Sequence, residues 1–161
     1  MGIRANGMGV SSYTKVFLRL EPLGLELVAQ AARRAGQEVK LFDLQVETHA
    51  AYRRLIAYWR PDFIAFSCNY LANVPEIIDL AKETKAALPH AFICVGGHSA
   101  SFTARAIVDH RTGMIDCVLK GADEAGIVPL LEAVAGERAA VASCATTEPT
   151  ISRKCLATPG R

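Results

Sequence analysis

Short apolar runs alternate with helix-length amphipathic stretches along most of this 161-residue chain, at a spacing of roughly 25–30 residues. Runs of that kind suit strands of a parallel sheet, which is buried on both faces and needs a helical crossover between neighbours. Residues 62–101 set the pattern. Phe63 to Phe66 is a continuous apolar strand, and Ser67-Cys68-Asn69 is a small polar loop. Asn73 is expected to cap a helix with Pro75 in its first turn, and Ile77, Ile78, Leu80, Ala81, Thr84 and Leu88 form its buried stripe. Pro89 stops that helix, Ala91 to Val95 is the next strand, and Gly96-Gly97 follows.

The same unit extends both ways. Pro22 opens a helix with Leu23, Leu25, Leu27, Val28, Ala31, Ala32 and Ala35 on its apolar face, and Gly36 ends it as a left-handed cap. Glu38 to Leu44 alternates like a strand, and Thr48 caps a helix to Trp59 with Leu55, Ile56 and Trp59 facing inward. Ser101 or Thr103 is expected to cap a helix to His110, Met114 to Leu119 forms a strand, and Asp123-Glu124 opens a last helix through Val134. Crossovers of this kind are right-handed almost without exception. The expected fold is therefore α/β, a flavodoxin-like doubly wound parallel sheet in a three-layer sandwich.

The ends fit less well. Two weak candidates compete for the first strand, one within Gly2 to Val10 and one ending at Leu20. The expected division is an irregular segment at 1–13, the α/β domain at 14–136, and a disordered tail or linker at 137–161, where periodicity is lost.

A net charge of +2 with scattered arginines gives no basic stripe for nucleic acid or an anionic membrane. No run of about 18 apolar residues exists to span a bilayer, and residues 1–15 lack the apolar core of a secretory signal, so a cytoplasmic chain is expected. The five cysteines have no CxxC or CxxxCxxC spacing. Cys68, Cys94 and Cys117 sit at or within apolar strands and read as small buried hydrophobes.

In an open α/β sheet, ligands bind beyond the carboxyl ends of the strands. Three rim elements lie there: Ser67 and Asn69; Gly96-Gly97-His98-Ser99 with Ser101; and Gly121 with Asp123 and Glu124. Glycine permits close backbone approach or a positive φ, and the adjacent polar side chains can hydrogen-bond a ligand. Each also has a plain structural reading, as a turn, a loop cap, or an acidic helix start. The chain has neither GxxxxGK[ST] nor GxGxxG. His49, His90 and His110 fall at helix ends or turns without metal spacing, and no serine–histidine–acid set emerges. The residues therefore define a rim ligand site without a catalytic apparatus.

The segments PLGLELVAQAARRAGQEVKLFDL, RPDFIAFSCNYLANVPEIIDLAKETKAALP, FICVGGHSASFTARAI and IDCVLKGADEA resemble the cobalamin-binding domain of radical SAM methylases, closest to the hopanoid C-3 methylase group. The resemblance runs from about Leu20 to Val134. It implies that cobalamin lies across the carboxyl edge with its nucleotide tail between sheet and helices. Leu23 and Gly24 would face the corrin ring, and Ser67, Asn69 and Leu71 would line the tail pocket and ring edge. Gly96, Gly97, His98 and Ser99 would bracket the tail, while Gly121 and Glu124 complete the rim. The DxHxxG motif that supplies a histidine lower ligand in other cobalamin domains is absent, which implies base-off cobalamin without such a ligand.

The usual GEGE turn reads Gly121-Ala122-Asp123-Glu124, and MGIRANGMG stands in place of the first strand. CxxxCxxC is missing, so S-adenosylmethionine and an iron–sulfur cluster belong to the parent family, and a radical SAM domain or subunit would be a partner. The resemblance thus implies a truncated relative that holds cobalamin without performing methyl transfer alone. Two alternatives stay open on the residues: a flavodoxin-like binder of flavin mononucleotide or another nucleotide, and a structural remnant without ligand.

Overall fold

A computed structural model describes residues 2–4, 22–109, 113–121 and 123–143. Among the described residues, five strands alternate with five α-helices: β1 (Gly2–Arg4), α1 (Leu23–Arg34), β2 (Leu41–Asp43), α2 (His49–Trp59), β3 (Phe63–Ser67), α3 (Val74–Ala87), β4 (Phe92–Gly96), α4 (His98–Asp109), β5 (Cys117–Val118) and α5 (Asp123–Ser143). A short 3-10 turn at Leu71–Asn73 leads into α3. All pairings are parallel and the strand order is β2-β1-β3-β4-β5. This is the doubly wound flavodoxin-like order, with its switch point between β1 and β3.

Helices α2, α3 and α4 cover one face of the sheet. There Tyr52, Ile56, Ile77, Leu80, Ala100, Ala104 and Ile107 pack on Ile64, Phe66, Ile93, Val95 and Val118. Helices α1 and α5 pack on each other over the opposite face, where Phe63, Phe92, Cys94, Cys117, Leu119 and Leu130 meet. Strand β4 shows the division directly, since Ile93 and Val95 point one way while Phe92 and Cys94 point the other. Helix α1 buries Leu25, Ala29 and Ala32, whereas Leu23 and Leu27, expected on its inner face, are exposed.

Capping is mixed. Thr48 accepts from Ala51 N, and Gly36 closes α1 at φ 80. Asn73 makes no side-chain cap to α3, because it ends the 3-10 turn with helical backbone angles. Helix α4 starts at His98, so Ser101 and Thr103 lie inside it and bond back to Gly97 O and Ser99 O. Strand β1 falls within the segment expected to be irregular, at the first of the two candidate positions, and α5 runs to Ser143. The competing candidate at 14–20 and the segment 144–161 lie outside the described residues. Among the described residues no helix is long and apolar enough to cross a membrane.

Two polar clamps hold the layers. Tyr52 Oη and Thr84 Oγ1 hydrogen-bond inside the core between α2 and α3, and the Thr84 hydroxyl lies 2.6 Å from Leu80 O. Asp116 Oδ2 accepts from Lys85 Nζ and from Ile93 N, both at 2.7 Å, tying α3 and β4 to the entrance of β5.

Candidate functional site

The loops after β3 and β4 are stitched together. Cys68 N donates to Gly96 O at 2.7 Å, which continues the strand ladder by one residue. Cys68 O then accepts from Ser99 N at 3.1 Å and Ala100 N at 3.4 Å, so a neighbouring carbonyl satisfies the first turn of α4. The Ser99 hydroxyl donates to Asn69 O at 2.9 Å. Gly97 makes this closeness possible. It adopts φ +103, and a Cβ there would stand 2.8 Å from Cys68 O. Its glycine requirement is thus internal to the loops, as is the use made of Ser99, which is buried. Farther along, Gly121 N donates to Ser101 Oγ at 3.3 Å, joining the β5 loop to the same ridge.

Above this ridge the carboxyl edge is apolar and exposed. Leu23 is 62% exposed, Leu71 60% and Phe102 78%. His98 is exposed as well, its ring edge-on to Phe102 at 5.0 Å between centroids.

Below the rim two adjoining cavities lie between the sheet and the α1–α5 layer, the one nearer the rim forming a neck. The neck, about 50 Å³, is lined by Gly24, Leu25, Val28, Ala65, Ser67, Asn69, Cys94, Gly96, Leu119 and Ile127, among others. It shares Leu25, Val28, Ala65 and Ile127 with a larger, half-open chamber of about 270 Å³ toward the amino end of β3. Ala29, Ala32, Phe63, Trp59 and Leu131 help wall that chamber, and Gln37, Glu38, Arg60 and Asp62 border its far end. From Ser67 in the neck to Phe63 in the chamber the two follow β3 for roughly 13 Å. Small side chains keep them open: Gly24, Ala29 and Ala32 on α1 face Ala65 on the sheet. At the floor, Trp59 Nε1 donates to Glu38 Oε1 at 3.2 Å while Lys40 Nζ lies 4.9 Å from the indole centroid.

Of the residues that the sequence singled out, the structure brings Gly24, Ser67, Asn69 and Gly96 into one neck. Leu23, Leu71 and His98 stand exposed on the rim. Gly97 and Ser99 build the ridge. Gly121 and Glu124 are exposed and do not line the neck. Sequence reasoning missed Phe102 and the larger chamber with its alanines. The available signal was the absence of bulk at Ala29 and Ala32 on a face that must cover a sheet.

Titratable groups near the site are shifted by identifiable causes. Burial pushes the Cys68 thiol up to about 11. A hydrogen bond from Cys94 holds the Cys117 thiol below its ordinary range, against burial and the nearby Asp116 charge. His49, which opens α2, places Nε2 3.1 Å from Oε1 of the buried Glu76. Among the described residues no group of three or more His, Cys, Asp or Glu is placed to hold a metal ion.

Residues 13–130 match the family described as B12 binding domain. The chain is also 63% identical over 123 residues to the hopanoid C-3 methylase of Methylococcus capsulatus (strain Bath). That alignment covers 76% of this chain and 24% of the relative, so the chain spans about a quarter of the relative's length. On both grounds, the chain belongs to the B12-binding domain family.

Proposed function

We propose that this chain is the cobalamin-binding module of a methylase of the hopanoid C-3 type. The carrying observation is the pair of adjoining cavities on the α1–α5 face, a neck lined by Gly24, Ser67, Asn69 and Gly96 and a larger chamber that shares its wall. Leu23, Leu71 and Phe102 offer an apolar seat for the corrin ring, with His98 at its edge. The neck takes the nucleotide linker, where only small side chains leave room, and the chamber takes the base. Gly97 and Ser99 act by holding the β3 and β4 loops together. Gly121 ties the β5 loop to that ridge through Ser101, and Glu124 contributes to the rim at the start of α5.

Bound cobalamin supplies a cobalt centre able to carry a methyl group. The chain's own residues would seat the ring and fix the tail. With no DxHxxG motif in the sequence, and the chamber able to take the base, these residues would hold the cofactor base-off, without a histidine lower ligand. The S-adenosylmethionine and iron–sulfur chemistry of the radical SAM methylases requires a CxxxCxxC motif that these residues lack. A radical SAM domain or subunit is therefore the expected functional partner, in the cytoplasm.

An absorbance titration with methylcobalamin tests this reading. Saturable binding with a shift to the base-off spectrum is expected. A folded chain that leaves the spectrum unchanged at saturating cofactor would overturn it, and binding with a base-on spectrum would overturn the account of the tail.

A further inference from the structure

Cys94 and Cys117 are directly opposed across β4 and β5. Both point to the α1–α5 face and are 1% and 3% exposed. Parallel neighbours lie about 4.8 Å apart, inside the Cα separation of roughly 4.4–6.8 Å that a disulfide spans. Their thiols are not joined, but they share a hydrogen bond, so the sulfurs already face each other. Cys94 also forms part of the neck wall, which gives a molecule the size of water a way in from the rim.

We propose that Cys94 and Cys117 form an oxidisable dithiol that closes to a cross-strand disulfide with hydrogen peroxide, entering through the neck. The Cys94 sulfur, which lines the neck, attacks one peroxide oxygen as its thiolate, breaks the O–O bond and becomes a sulfenic acid as hydroxide leaves. The Cys117 sulfur opposite it then displaces the second hydroxide, forming the S–S bond. Two thiols lose two electrons and two protons, and one peroxide becomes two waters. Cys68 provides an internal reference. It is also buried, its thiol lies 3.5 Å from Tyr70 O, and burial pushes it up to about 11. It is not expected to react. The inference concerns the chain without cofactor, in which no nucleotide linker takes up the neck, and the test is made on that form.

The test treats the folded full-length chain with a small excess of hydrogen peroxide, alkylates remaining thiols under denaturing conditions and maps tryptic peptides by mass spectrometry. Cys94 and Cys117 fall in separate peptides, 86–105 and 112–120. The expected product is a linked pair about 2 Da below the sum of the two, lost on treatment with dithiothreitol, while Cys68 is recovered alkylated. Cys117→Ser should abolish the linked species. Recovery of both thiols alkylated after peroxide, or sulfinic acid on one without a link, would overturn the proposal. Linkage that appears only when the chain is oxidised in denaturant would do so as well.

Discussion

Gly97 and Gly24 both lie at the carboxyl rim, yet they serve different ends. At Gly97 a methyl group would meet the Cys68 carbonyl at 2.8 Å on a backbone of φ +103. Gly97→Ala should therefore cost about 1–3 kcal/mol in urea unfolding. Around Gly24 nothing lies within 4 Å of an added Cβ, and the residue sits in a helix. Gly24→Ala should be neutral to about 1 kcal/mol stabilising while weakening cobalamin binding at the neck. Tyr52 gives a pH signature. Burial is the main cause that raises its hydroxyl to about 12, so the folded state keeps the proton after the unfolded chain has lost it. Its stabilising contribution is complete below about pH 10 and falls by about 2–3 kcal/mol as pH rises to about 12. Chemical denaturation along that range should show the fall, and Tyr52→Phe should flatten it. The glycine pair was legible in the sequence as a turn. The reason for it was not, because the clash partner comes from a loop about thirty residues away.

Between elements, the spacing of α1 and α5 decides whether the two cavities exist. Ala29 faces the chamber from α1. Ala29→Leu should fill that space and reduce cobalamin affinity by about ten-fold or more, with helical content retained by circular dichroism. The Asp116 carboxylate holds Lys85 and the β4 amide of Ile93 at once. Asp116→Ala should lower unfolding stability by about 1–3 kcal/mol through those orphaned partners. Strand and helix order could be read from periodicity because each buried stripe repeats within its own segment, as Ile77, Leu80, Ala81 and Thr84 do. Strand β1 was harder. Gly2-Ile3-Arg4 has a single apolar residue, and its place is set by pairing with β2 on one side and β3 on the other. The start of α4 was hidden for a similar reason, since its first-turn amides are satisfied by the Cys68 carbonyl rather than by a local side chain.

For the molecule as a whole, the doubly wound order places the switch point between β1 and β3, and the rim, neck and chamber follow from it. The sequence marked the rim residues at the strand ends. The chamber beneath them arises only when α1 and α5 close over the sheet, so it could not be read from local pattern. The account depends on that chamber accepting the nucleotide tail. Trp59, the chain's one tryptophan, borders it and provides the probe. The most direct measurement is a pair of fluorescence-quenching titrations, with cobalamin and with cobinamide, which has the corrin ring but lacks the nucleotide tail. Cobalamin binding tighter by at least about ten-fold is the predicted result. Equal affinity for the two, or no binding of either by the folded chain, would contradict it.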